Sequence, residues 1–183
     1  MKICVFTYDH PHEKTSRGLS AMWLNGFEPS VVWAAPWIDH GKSFDFEFKP
    51  ELYALRLGAE YIVSTHKQPI DHGCALGVIL GAKILPQSVI DTFPMGIVNI
   101  HPGKLPEHGG LESYNLEWDA GSDGTITVHL IDKYIDKGWR ILERNVARYK
   151  DDTYESFVSR MNAEQMPALI DALCANLSEV EKI

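Results

Sequence analysis

Asn99 and His101 stand two positions apart at the end of an apolar run, in GIVNIHPGKLPEHGG (residues 96–110). A loop with prolines at 102 and 106 and glycines at 103, 109 and 110 follows at once. Strand periodicity puts both side chains on one face, aimed at one place. Taken alone, the pair has a plain reading: Asn99 bonds the following turn and His101 caps a strand end. Downstream, TVHLIDKYIDKGWRIL adds two aspartates, and Asp136-Lys137-Gly138 makes a tight connection between two expected strands. A carboxylate beside an imidazole orients it and favours its charged form. Asn99, His101 and Asp136 together suit acyl-group chemistry without a covalent nucleophile. In such a centre Asn and protonated His stabilise an oxyanion, while His and Asp move protons.

Positioning these groups falls to short apolar runs that alternate with helical patterns. KICVFTY, PSVVWAA, EYIVST and GIVNI read as buried strands, and CALGVILGA is a further continuous apolar run. Between them, EKTSRGLSAMWLNGF places Leu19, Met22 and Trp23 at helical spacing before the Asn25-Gly26 break. PELYALRLG and LPQSVIDTF supply shorter helices, the second stopping before Pro94. This order predicts an α/β, Rossmann-like domain with a mainly parallel sheet flanked by helices. Beyond residue 121 the pattern changes, with TITVHLI and WRILERNVARY expected as an antiparallel strand pair. TYESFVSRMNAEQMPALIDALCANL is expected to cap the sheet as a C-terminal helix, with Pro167 interrupting or kinking it. Residues 36 to 48 read as a loop able to close over a substrate. With no repeat or linker in view, residues 1–183 are expected to form one catalytic domain.

Composition narrows the function. A 45% apolar and 23% charged chain is ordinary for a soluble globular domain. Cys4, Cys74 and Cys174 lie far apart with no CxxC pair, against a disulfide framework or a thiolate zinc site. His10-Pro11-His12 has no Cys or Glu cluster nearby, so no metal is expected. The opening apolar run is too short for a signal peptide, and no stretch suits a membrane span. The expected location is cytoplasmic. A net charge of −8 with scattered Lys and Arg disfavours nucleic acid and favours a small-molecule partner. An exposed strand edge or an apolar helix face could each make a homodimer.

The ordered set NIHPGKLP, GLESYNLEWDAG, GTITVHLID and DKGWRIL resembles the N10-formyltetrahydrofolate-dependent formyltransferases, over about residues 74 to 145. The resemblance implies that Asn99, His101 and Asp136 are catalytic, and that N10-formyltetrahydrofolate donates a formyl group to a substrate amine. It implies pterin contacts, largely through backbone groups, at Lys83, Ile84, Leu85, Ile131 and Asp132, with Val89 lining the same pocket. Ordinary packing is the competing role for Ile84, Leu85 and Val89.

The chain departs from the family in two places. Its loop reads Glu107-His108-Gly109-Gly110 where the family often has an aromatic-Arg-Gly. Its first strand-to-helix turn, TYDHPHEKTSRGL, lacks the glycine-rich phosphate loop of glycinamide ribonucleotide formyltransferases. His12, Lys14, Thr15 and Arg17 at that helix start could hold an anion through side chains, against a solvated helix face. Glycinamide ribonucleotide is therefore disfavoured as acceptor. Methionyl-tRNA is disfavoured by the acidic balance and by the expectation that residue 183 leaves no room for a second domain. A small amine, such as an amino sugar or its nucleotide, is the expected acceptor, with Trp33 and Trp37 available to stack on it. The alternatives are hydrolysis of formyl-folate and a non-catalytic folate or nucleotide binding module.

Overall fold

The computed structural model describes residues 1–37, 49–82, 84–134 and 136–180, with side chains described through residue 175. Most of the loop expected at 36 to 48, together with Lys83, lies outside the described residues. The chain divides into two compact units, Met1–Val98 and Asn99–Ile183.

In the first unit, β1 (Ile3–Tyr8), β2 (Pro29–Ala35), β3 (Glu60–Val63) and β4 (Leu76–Ile79) lie in the order β3-β2-β1-β4. Every pairing among them is parallel, with Phe6 of β1 opposite Trp33 and Ile79. The order reverses at β1, as in doubly wound sheets. Val5, Phe6, Val32, Trp33, Leu76 and Val78 are fully buried, which explains their near-continuous apolar runs. Helix α1 (Glu13–Leu24) buries Thr15, Gly18, Leu19 and Met22 along one stripe. Helix α2 (Pro50–Leu57) starts on a proline and ends at Gly58, whose φ of +68° suits a residue without a Cβ. Helix α3 is only four residues, Gln87–Ile90.

Strand β5 (Ile97–His101) starts in the first unit, and its last three residues open the second, where the order continues β5-β6-β7. β6 (Gly124–Leu130) and β7 (Arg140–Val146) are antiparallel. Helix α4 (Ser113–Asp119), which the sequence pattern does not announce, precedes β6. Helix α5 runs from Tyr154 to Val180 and contacts β6 and β7. Of the two outcomes expected at Pro167, interruption does not occur: the helix continues through it. The proline removes one backbone donor. The buried stripe of Phe157, Met161, Leu169 and Leu173 keeps the helix in register on both sides of it. The fold is α/β and Rossmann-like, with a mainly parallel sheet, an antiparallel C-terminal strand pair and a long C-terminal helix.

Candidate active site

The polar cluster lies in the second unit, and β6 forms its floor. Thr125, Thr127 and His129 alternate with Ile126 and Val128, so one face of a fully buried strand carries three polar side chains. Each has a partner. The Thr125 amide bonds Glu117, the Thr127 hydroxyl donates to the Gly103 carbonyl at 2.7 Å, and His129 meets Asn99. Buried polar groups persist only when paired, and here the pairing draws the loop after β5 onto the strand.

His129 has no solvent exposure. Its Nδ1 faces the Leu130 carbonyl at 3.1 Å, and only a protonated nitrogen can donate there. Nε2 is therefore an acceptor and takes one N–H from the Asn99 amide at 3.2 Å. Burial pushes the His129 imidazole down, partly offset by the Asp136 carboxylate, so the neutral form is favoured. The second N–H of Asn99 remains a donor.

Asp136 stands between two imidazoles. Its Oδ2 is 3.8 Å from His101 Nδ1, and its Oδ1 is 3.8 Å from His129 Nε2. Oδ2 also accepts the Gly110 amide at 2.8 Å, which fastens the loop after β5 to the turn before β7. Asp136 has a φ of +53°, a left-handed conformation that Asp adopts more readily than most residues. Gly138 makes that turn possible: a Cβ there would lie 1.6 Å from the Leu130 carbonyl oxygen.

His101 is buried, and its Nε2 lies 2.8 Å from the His108 carbonyl. Nε2 therefore carries the proton of the neutral ring, and Nδ1 faces Asp136. A Cβ on residue 103 would come within 2.7 Å of the same His108 oxygen, so glycine is needed beneath this contact. Arg140 on β7 holds the loop from the other side, donating to the Leu105 carbonyl at 3.1 Å.

The structure thus brings Asn99, His101 and Asp136 into one site, and adds His129 as the link between Asn99 and Asp136. Sequence reasoning missed His129. Its signal was the polar alternation Thr125, Thr127, His129 within a strand whose opposite face is apolar. In the same unit, half-buried Ile131 and exposed Asp132 follow β6, and Asp132 accepts the Tyr134 amide at 2.8 Å. Among the described residues, no group of three His, Cys, Asp or Glu is placed to hold a metal ion.

The other expected contacts belong to the first unit. Leu85 and Val89 are core side chains at 5% and 0% exposure, whereas Ile84 is exposed. At the start of α1, His12 is half-buried, and its Nδ1 lies 3.5 Å from the Thr15 hydroxyl. Thr15 is buried against the Thr7 hydroxyl at 2.6 Å, and Arg17 pairs with Glu13 at 3.2 Å on the exposed face. Lys14 is half-buried, and burial pushes its ammonium down to about 8. Trp33 is unavailable for stacking on a ligand, because it is fully buried and its Nε1 donates to the Ser64 hydroxyl at 2.9 Å. Trp37 is half-buried and stacks on His10.

Residues 77–173 match the Formyl transferase family profile. Phosphoribosylglycinamide formyltransferase of Haemophilus influenzae is 33% identical over 85 residues, 45% of this chain and 40% of that protein. The chain spans less than half the length of the curated relatives it matches. Among solved structures, phosphoribosylglycinamide formyltransferase from Bacillus halodurans superposes with a TM-score of 0.76 at 16% identity, covering 100% of this chain and 98% of that one. A formyltetrahydrofolate deformylase from Pseudomonas syringae superposes with a TM-score of 0.74 at 16% identity, over 97% of this chain and 61% of that one. Such low identities speak for the fold alone. The profile match spans more than half of the chain and takes in Asn99, His101, His129 and Asp136: the chain belongs to the formyl transferase family.

Proposed function

We propose that this protein transfers a formyl group from N10-formyltetrahydrofolate to a primary amine of a small substrate, with Asn99, His101 and Asp136 as the catalytic residues. The observation that carries this reading is the convergence of an amide donor, an imidazole and a carboxylate at the end of β5, within the family's matched segment. The amine nitrogen attacks the formyl carbon, the carbonyl oxygen becomes an oxyanion, and the bond from carbon to N10 then breaks. The free N–H of Asn99 donates to that oxyanion. His101, with its proton on Nε2, accepts the proton shed by the amine at Nδ1 beside Asp136 and so brings positive charge next to the oxyanion. Asp136 takes part in passing the proton released by the amine to N10, so that the products are a formamide and tetrahydrofolate. The neutral, buried His129 holds the Asn99 amide in the donating orientation.

An amino sugar or its nucleotide is the acceptor class we favour. The turn before α1 lacks glycines and offers His12 and Lys14 in their place, which suits an acceptor other than glycinamide ribonucleotide. Incubation with formyl-folate and a panel of amines, amino-sugar nucleotides and glycinamide ribonucleotide included, tests the reading. Mass spectrometry should find one amine that gains a single formyl group. Formate release without any added amine would replace the reading with hydrolysis. Folate binding with neither outcome would replace it with a binding module.

A further inference from the structure

Glu117 on α4 is 2% exposed, an unusual place for a carboxylate. Three donors meet it. Oε1 accepts the Lys104 amide at 2.6 Å and lies 2.6 Å from His108 Nδ1, while Oε2 accepts the Thr125 amide at 3.0 Å. The His108 amide closes the turn on the Lys104 carbonyl at 2.6 Å. One buried carboxylate therefore ties both ends of the turn from 104 to 108 to the floor strand β6. Removing it would leave two amides and an imidazole without their acceptor.

The consequence reaches His101 through the backbone. The carbonyl of His108 faces His101 Nε2 at 2.8 Å, and Asp136 Oδ2 faces Nδ1 at 3.8 Å. A neutral imidazole has one proton, and these two acceptors compete for it. With the carbonyl in place the proton sits on Nε2, and Nδ1 is left open toward Asp136. If the carbonyl swings away, Asp136 draws the proton to Nδ1. We propose that Glu117 is a positioning residue for formyl transfer: by clamping the turn from 104 to 108, it aims the His108 carbonyl at His101 and sets the tautomer of the catalytic imidazole. The proposal rests on the roles of His101 and Asp136 given above.

The test uses full-length protein labelled with 15N-histidine, compared as wild type, Glu117→Gln and His108→Asn, with folding checked by circular dichroism. Long-range proton–nitrogen spectra recorded as a pH series report which nitrogen of His101 holds the proton once the ring has reached its neutral form. Wild type should show protonated Nε2. Glu117→Gln should shift His101 to a mixture of tautomers and lower kcat about 100-fold with the KM for formyl-folate unchanged, as expected of misplacement rather than lost binding. His108→Asn cuts one of the three bonds and should shift the tautomer less; it carries the test if Glu117→Gln does not fold. An unaltered His101 tautomer in every folded variant overturns the proposal, whatever the activity. A tautomer shift in a protein whose wild type formylates no amine upholds the positioning and refutes the functional reading instead.

Discussion

His66 of the first unit and His129 of the second are both enclosed, at 5% and 0% exposure, and burial pushes both imidazoles down. Their surroundings differ. His66 sits edge-on to the Phe6 and Trp33 rings, donates to the Trp33 carbonyl at 2.9 Å, and its Nδ1 has no hydrogen-bond partner among the described residues. His72 is likewise stacked on Phe93 and bonded to the Thr92 hydroxyl and the Cys74 amide. In the second unit every buried or half-buried imidazole faces a carboxylate: His101 and His129 face Asp136, and His108 faces Glu117. A buried histidine among aromatic rings fills space. One that shares a carboxylate with another can hold and pass a proton. The comparison separates core from chemistry more sharply than burial does.

The largest effect should come from breaking the second arrangement. His101→Ala and Asp136→Ala are each expected to reduce kcat by 100-fold or more, roughly the cost of losing one preorganised group at an oxyanion site. Folding should survive, because His101 ends β5 and Asp136 lies in the turn before β7, outside the apolar core. Formylation at the wild-type rate by either variant would remove it from the catalytic set.

Gly138→Ala probes the turn that presents Asp136. The added Cβ would strike the Leu130 carbonyl 1.6 Å away, so the turn must open. The expected loss is about 1–3 kcal/mol of stability, as for overpacking, together with reduced turnover. Wild-type activity and melting temperature would mean that the turn is not under this constraint.

The smallest effect is a matter of pH and divides the two histidines. Both are held neutral in the folded state below the ordinary value of about 6.5, so between these values the unfolded chain binds more protons. Each should therefore cost stability as pH falls through about 6.5 toward its folded-state value. His66→Leu and His129→Asn should both flatten the fall of Tm on acidification. Only His129→Asn should also lower turnover, since it alone touches Asn99. Lost activity in His66→Leu would break the comparison.

Much of the fold was legible because its strands and helices differ in local periodicity. β1, β2, β6, β7 and α1 follow directly from where apolar residues recur. Two features escaped. Helix α4 carries buried Glu117 where an amphipathic reading expects an apolar residue, so its pattern is broken by the residue that matters to the loop. Pro167 reads as a breaker, yet packing on both sides of it carries α5 through. The pterin contacts expected in the first unit were drawn from resemblance and the anion contacts from side-chain types at a helix start; the Leu85, Val89 and Thr15 side chains there are buried.

What the sequence determined by itself was the spacing at the carboxyl end of β5. Asn99 and His101 share a face because a strand repeats every two residues, and Gly138 announces a turn next to Asp136. Local rules suffice for that. Tertiary structure alone decided which carboxylate meets which imidazole. Asp136 lies 35 positions after His101 and seven after His129, and Glu117 lies nine after His108. No periodicity links such positions. They meet because β6 cannot bury Thr125, Thr127 and His129 without bringing hydrogen-bond partners to them.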